Sequence, residues 1–310
     1  MDAVVVGIDV SKGSLDVHVL PGGESFAVPR DATGLDELAD RLAAHSPRAV
    51  AVEATGGLEA VVVATLGAAG LPVVVVNPAQ VRAFARALGR RTKTDPIDAA
   101  VIARFAAATA PAVRPLPDAA TRLLGGLVAR RRQVVAMIVA ERQRARHLSE
   151  PGLKRSVARI LAALDAELKT LDKDLDDAVR SSPAWREKED LLASVPGVGP
   201  TIARTLLAGL PELGALDRRQ VAALAGLAPW TRQSGQWRGR SFIGGGRPSV
   251  RAALFLGAMV AARHNPALRE FRQRLLEAGK PKLVALVAVA RKLLTILNAI
   301  LRDRQPWQTA

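Results

Sequence analysis

Apolar and polar positions run through the first hundred residues with two alternating periods. Val4 to Val10 is an almost continuous apolar run and predicts a buried strand, broken only by Gly7 and Asp9. Leu15 to Leu20 alternates, as a half-exposed strand does, and Pro21-Gly22-Gly23 turns the chain into a third strand over 24–28. Residues 33–45 carry the helical period, 49–53 a fourth strand, 57–69 a helix and 73–76 a fifth strand. Helices are predicted over 78–88 and 95–108. The apolar stretch from Leu58 to Val76 is broken by Gly67, Gly70 and Pro72, so it reads as helix, turn and strand rather than a membrane span.

The order β-β-β-α-β-α-β-α, three hairpin-linked strands followed by α/β units, is that of an RNase H-like domain. A proline-rich break over 111–117 then separates it from a long helical stretch. That stretch runs from Ala119 to Val179, interrupted at Pro151-Gly152, and predicts two long helices in an antiparallel coiled-coil hairpin. Ser181-Ser182-Pro183 ends this arm. Residues 187–310 are read as mainly helical, with Gly244-Gly245-Gly246 as a flexible stop and a frayed tail after Arg302. The fold class is therefore α/β plus α, with an RNase H-like domain at 1–110, a helical arm at 118–182 and a mainly helical domain at 187–302.

Charge divides the chain along the same line. Residues 1–107 carry 10 Lys/Arg against 12 Asp/Glu, while the remainder carries 34 against 17. A basic half beside a slightly acidic one suits a nucleic-acid grip joined to a metal-binding unit; arginine use in a GC-rich genome is the plainer account. There is no cysteine and no tyrosine. Thiolate chemistry, disulfides and a tyrosine nucleophile are thus excluded. No signal-peptide pattern opens the chain, and a cytoplasmic location without a membrane is expected.

Four carboxylates stand out. Asp9 lies inside the first strand, where a charge is costly unless paired or metal-bound. Glu53 closes the fourth strand, expected beside the first. Asp95 and Asp98, in Lys93-Thr94-Asp95-Pro96-Ile97-Asp98-Ala99, share a face at a helix start. Taken singly, Asp95 could be an N-cap and Asp98 a partner of the helix dipole. Together, four converging carboxylates repel one another, and divalent ions would relieve that while serving phosphoryl transfer.

Two segments of the basic half suggest DNA contact. Ser194-Val195-Pro196-Gly197-Val198-Gly199-Pro200 resembles a helix-hairpin-helix, in which Gly197 and Gly199 let backbone N–H groups face a phosphate. A packing corner between helices is the plainer reading. From Thr231 onward, Ser234 and Ser241 lie among Arg232, Arg238, Arg240, Arg247 and Arg251. A serine flanked by arginines could attack a phosphodiester, the cations stabilising the extra negative charge. No histidine lies nearby as a base, so a hydrogen-bonding loop serine is the simpler account of either.

The chain resembles the DEDD transposases of bacterial insertion sequences, the family of bridge-RNA-guided recombinases. The resemblance rests on Gly7-Ile8-Asp9-Val10-Ser11-Lys12, Glu53-Ala54-Thr55-Gly56, Asn77-Pro78 and Lys93 to Ala99. It continues with Pro196-Gly197-Val198-Gly199, Ala225 to Pro229, Ser234-Gly235 and Arg291-Lys292-Leu293, and so covers nearly the whole chain. Gly244-Gly245-Gly246 stands where many relatives have Ser-Lys-x-Gly.

The resemblance implies a RuvC-like first domain, a coiled-coil arm and a C-terminal transposase domain. It implies Asp9, Glu53, Asp95 and Asp98 as catalytic ligands of Mg²⁺, with Mn²⁺ as an alternative, and it favours Ser234 over Ser241 as nucleophile. Donor and target DNA, a structured bridge RNA, and a homodimer or homotetramer are the implied partners. Arg131, Arg142 and Arg146 of the arm are candidates for nucleic-acid backbone contact, each equally readable as part of a solvated helix face. The rivals are a RuvC-like junction endonuclease in which water attacks, a sugar-kinase-like or actin-like ATPase, and a non-enzymatic DNA-binding scaffold.

Overall fold

The computed structural model describes residues 3–89, 95–113, 118–231, 233–239 and 241–308, without the side chains of Asp95, Pro96, Trp237 and Arg238. The chain forms two compact units, 1–116 and 117–310.

In the first unit a mixed five-stranded sheet has the order β3-β2-β1-β4-β5. Its strands are β1 (Val5–Val10), β2 (Ser14–Leu20), β3 (Glu24–Pro29), β4 (Ala49–Glu53) and β5 (Val73–Val76). β1, β2 and β3 form an antiparallel meander, while β4 and β5 run parallel to β1. Parallel pairing needs crossover connections, which α1 (Ala32–His45) and α2 (Glu59–Ala68) provide. The expected adjacency of the first and fourth strands is present.

Both sheet faces are covered. Val6, Ile8 and Val10 pack with Leu38, Leu42, Val62 and Leu66 of α1 and α2. Val5, Ala51, Val74 and Val76 pack with Val81 of α3 (Pro78–Ala87) and with Ile102 and Phe105 of α4 (Asp95–Thr109). Two local features start these helices: Asp31 accepts from Gly34 N at the head of α1, and Asn77 accepts from Ala79 N before Pro78. Gly7 sets the closeness of α4 to β1. A Cβ there would fall on the backbone of Ala99 and Ala103.

The second unit begins with α5 (Ala119–Ala145) and α6 (Pro151–Arg180), which pack as a hairpin through Leu124, Val134, Ile138, Leu171, Leu175 and Val179. Its main core gathers α7 (Pro183–Ala193), α8 (Pro200–Gly209), α9 (Arg218–Leu224), α10 (Pro248–His264), α11 (Pro266–Glu277) and α12 (Lys282–Asp303). By length and composition α12 could cross a membrane. Val289, Leu293, Leu294 and Leu297 of α12 are instead buried in that core.

Three expectations change here. Four short strands stand inside the helical unit: β6 (Pro229–Trp230), β7 (Gln233–Ser234), β8 (Trp237–Arg238) and β9 (Phe242–Ile243). The triple glycine is not a loose stop, because it packs backbone-to-backbone on the Gly226 turn. The end of the chain is tied down: Trp307 N donates to Ser194 Oγ at 2.8 Å, and its ring joins the core.

Candidate functional site

Strand register gathers the carboxylates of the first unit. β1 pairs with β4 up to Ile8↔Val52, so Asp9 and Glu53 follow side by side at the ends of the two strands. Side chains alternate across a strand. Val5 and Ala51 lie in the core under α4, and Asp9 and Glu53 fall on that same face. On α4, Ala99 and Ala103 ride over Gly7 and Ile102 is buried against the sheet. Asp98 stands one turn before Ile102 and is therefore on the sheet-facing side. The backbone of Asp95 begins α4; its side chain, with Lys93 and Thr94 entirely, lies outside the described residues. Asp9, Glu53 and Asp98 are half-buried, and each takes part in further polar interactions.

The sequence did not single out two further carboxylates, one on this face and one bound to the loop that follows Glu53. Asp16 stands directly opposite Asp9 on the antiparallel ladder and is half-buried. Its position in an alternating strand was the only clue. Glu59, at the start of α2, holds the loop that follows Glu53. Its Oε2 accepts from Thr55 N at 3.1 Å, Thr55 Oγ1 at 2.9 Å and Gly57 N at 2.8 Å. Burial pushes the Glu59 pKa up, but the bonds from Gly57 and Thr55 outweigh this and leave it below the ordinary value. Beside Gly7, His18 is buried, with Nδ1 2.7 Å from Ser25 Oγ. Burial first and the charge of Arg104 second lower its pKa, so the ring favours its neutral form.

Oxygen-only donors suit a hard divalent ion such as Mg²⁺, and three of the four expected ligands share one sheet face. Among the described residues no three Asp, Glu or His side chains are close enough to hold an ion together; the Asp95 side chain is not among them. The oxygen chemistry of the donor set suits the ion.

In the second unit Ser234 ends β7 and pairs with Trp237 of β8 across Gly235-Gln236. Gly235 has φ +55°, as the first central residue of a tight two-residue hairpin requires. Ser234 is exposed, and among the described residues none hydrogen-bonds its hydroxyl. Ser241 differs: its Oγ lies 3.2 Å from Thr231 Oγ1. Arg251 Nη1 donates to Gly245 O at 2.6 Å, and Arg247 N to Leu224 O at 2.8 Å, fixing the base of this region.

The candidate nucleic-acid residues divide. Arg247 is a clamp, giving two hydrogen bonds to Glu212 at 2.6 and 2.7 Å and one to Gly209 O at 3.1 Å. Arg131 pairs with Asp172 at 2.5 Å, whereas Arg142 is exposed and 3.6 Å from Asp165. Arg146, also exposed, caps α5. Arg232 and Arg240 lie outside the described residues, as does the Arg238 side chain. In the turn between α7 and α8, Gly197 has φ +106°, and a Cβ there would lie 2.6 Å from Ala261 N on α10. Gly199 is exposed and begins α8 without a side-chain cap.

Carboxylates at paired strand ends in one unit and a strongly basic second unit define a DNA-processing enzyme, and comparison with known proteins gives its kind. Residues 6–149 match the model of the DEDD transposases of IS110, and residues 189–273 that of the transposase IS116/IS110/IS902 family. The chain belongs to this family of insertion-element transposases. It is 29% identical over 318 residues to the pilin gene-inverting protein of Moraxella bovis, covering 99% of this chain and 98% of that one. The pilin gene-inverting protein of Moraxella lacunata matches with the same identity and coverage. The 43.6 kDa protein of insertion element IS110 from Streptomyces coelicolor is 31% identical over 150 residues, 48% of this chain and 36% of that protein. The family implies dependence on a divalent metal ion.

Proposed function

We propose that this transposase cuts and rejoins DNA through Ser234, working with an RNase H-like, RuvC-type carboxylate site of Asp9, Glu53, Asp95 and Asp98. The observation that carries this reading is the common sheet face of Asp9, Glu53 and the start of α4. Ser234 Oγ attacks a DNA phosphate. The new P–O bond forms as the bond to one deoxyribose oxygen breaks, and that oxygen leaves as a strand hydroxyl. A hydroxyl of the partner strand later attacks the same phosphorus and releases the serine. The number of phosphodiester bonds is conserved, so no nucleotide triphosphate is consumed. A divalent ion held by the four carboxylates would neutralise them and polarise a phosphate or hydroxyl oxygen. The exposed hairpin leaves Ser234 open to a strand, and Arg232, Arg238 and Arg240 carry charge suited to its phosphates.

The remaining roles follow the same reading. The arm at 118–182 and the domain at 187–302 grip nucleic acid, with Arg142 and Arg146 on the arm and the Gly197–Gly199 turn at a helix start, a helix-hairpin-helix device for phosphates. Sequence choice falls to a structured bridge RNA pairing with donor and target. Exchange between two duplexes requires several cleavages and therefore a homodimer or homotetramer. The test is a denaturing gel of labelled DNA incubated with protein, Mg²⁺ and the element's flanking transcript. A protein–DNA adduct lost in both Ser234→Ala and Asp9→Ala supports the reading. Cleaved DNA without an adduct, unchanged in Ser234→Ala, makes the chain a hydrolytic RuvC-like endonuclease instead.

A further inference from the structure

The first unit is slightly acidic as a whole, but its charge is sorted by sheet face. On the face covered by α1 and α2, α1 exposes Asp36, Glu37 and Asp40, and its Arg41 pairs with Glu24. On the other face, the one with Asp9 and Glu53, α3 has no acidic residue. Residues 60–94 contain no Asp or Glu at all, while Arg82, Arg86, Arg90, Arg91 and Lys93 make up five of the ten Lys/Arg in residues 1–107. Arg90, Arg91 and Lys93 lie outside the described residues. Arg82 and Arg86 are placed by packing. Val81, Phe84 and Ala85 turn α3 onto α4, with Phe84 meeting Phe105 edge-on at 5.7 Å between centroids. That leaves Arg82 and Arg86 exposed, about one helical turn apart on a common flank. Among the described residues no hydrogen bond or ion pair holds either.

This helix also starts at the carboxylate edge of the sheet. Val76 pairs with Glu53, and Asn77 caps α3 directly after it. Ligands of open α/β sheets gather outside the carboxyl ends of the parallel strands, and α3 opens at that edge. At about 1.5 Å per residue, Arg82 stands about 8 Å along the helix from Asn77 and Arg86 about 14 Å. The helix dipole accounts for Arg86 in the last turn, but not for Arg82 in the middle. Clustered carboxylates repel a polyanion, so a strand brought to them needs cations beside them. Two guanidiniums on one flank supply forked donors suited to phosphate oxygens. We propose that α3 is a DNA-binding element, in which Arg82 and Arg86 hold phosphates of the strand brought to the Asp9–Glu53 edge.

This rests on the carboxylate reading, and its test separates the two. Full-length protein is titrated with labelled duplex DNA over a series of monovalent salt concentrations, without divalent ions. Each phosphate contact contributes about 0.9 to the slope of log K against log salt. Arg82→Gln/Arg86→Gln flattens the slope by about 1.8, alike on duplexes of unrelated sequence, and each single variant by about half of that. Arg82→Lys/Arg86→Lys keeps the slope. Arg48→Gln removes an exposed charge just before β4, at the opposite edge of the sheet, and leaves the slope as it was. An unchanged slope in the double glutamine variant overturns the proposal, as does an equal fall per charge in Arg48→Gln. A loss confined to the flanking RNA transcript, with DNA binding intact, overturns it as well. Asp9→Ala is run beside the double variant in a DNA-joining assay. A flattened slope in the double variant with normal joining by Asp9→Ala retains the DNA-binding helix and sinks the carboxylate reading; an unchanged slope with joining lost in Asp9→Ala does the reverse.

Discussion

In the first unit, Asp9 and Glu53 stand on strands sealed on both faces, under a helix pressed against Gly7. In the second, Ser234 stands on a two-residue strand in solvent, and Arg247 and Arg251 anchor the chain that follows the short strands. Charge follows the same division, 10 Lys/Arg against 12 Asp/Glu in residues 1–107 and 34 against 17 afterwards. The contrast teaches where precision is needed. Carboxylates that share an ion must be held to a fraction of an ångström, which a buried sheet provides. A group that must meet a passing strand needs access first, which an exposed hairpin provides.

The sharpest way to break this comparison is to remove one reactive group from each unit. Asp9→Ala should reduce DNA joining on the order of a thousandfold or more while leaving the circular-dichroism spectrum unchanged. Ser234→Ala should match it in loss of joining. If Ser234→Ala still cuts DNA at the normal rate, the second unit is a grip only and chemistry belongs to the first.

Packing supplies the next test. Gly7→Val drives a branched side chain into the α4 backbone and should cost about 3 kcal/mol, at the upper end for an overpacked core. Gly13→Ala, with nothing within 4 Å of its added carbon, should shift thermal unfolding little. Equal effects would mean that α4 is not seated on β1 as described. In the second unit Arg204 bonds Glu189 at 2.6 Å and also Asp176, tying α8 to α7 and α6. Burial opposes its charge, and the two carboxylates more than compensate, raising its pKa. Arg204→Ala strands the half-buried Glu189 and should cost about 3 kcal/mol. Arg142→Ala, at an exposed pair, should cost less than about 0.5 kcal/mol in chemical denaturation.

These residues also show what the sequence could reveal. Asp9 was legible because a charge inside an apolar run has few innocent explanations, and the β-β-β-α-β order alone put Glu53 beside it. The hairpin of Ser234 was hidden, because two-residue strands have no period to detect. Arg247 reads as a free cation until the fold brings Glu212 to it from 35 residues away. The tail reads as frayed until Trp307 meets Ser194, 113 residues earlier. Local pattern carries elements and isolated oddities; partners set by tertiary packing leave no local mark.

Glu59 tests the finest part of the contrast, whether the loop after Glu53 is as firmly held as the strands. The bonds from Thr55 and Gly57 favour the carboxylate, so its folded pKa lies below the ordinary glutamate value. A depressed acid pKa adds stability that is fully present above the ordinary value and is lost as pH falls through the lower folded one. Glu59→Gln keeps an acceptor but not the charge, and should cost about 1 kcal/mol at neutral pH, given its partial exposure. The gap between variant and parent should close on acidification through that window. Hydrogen exchange at the Thr55 and Gly57 amides follows it directly: faster in the variant at neutral pH, and equal once the parent's carboxyl is protonated. A gap independent of pH would mean that Glu59 contributes by packing rather than by its charge, and that the loop beside Glu53 is held by something else.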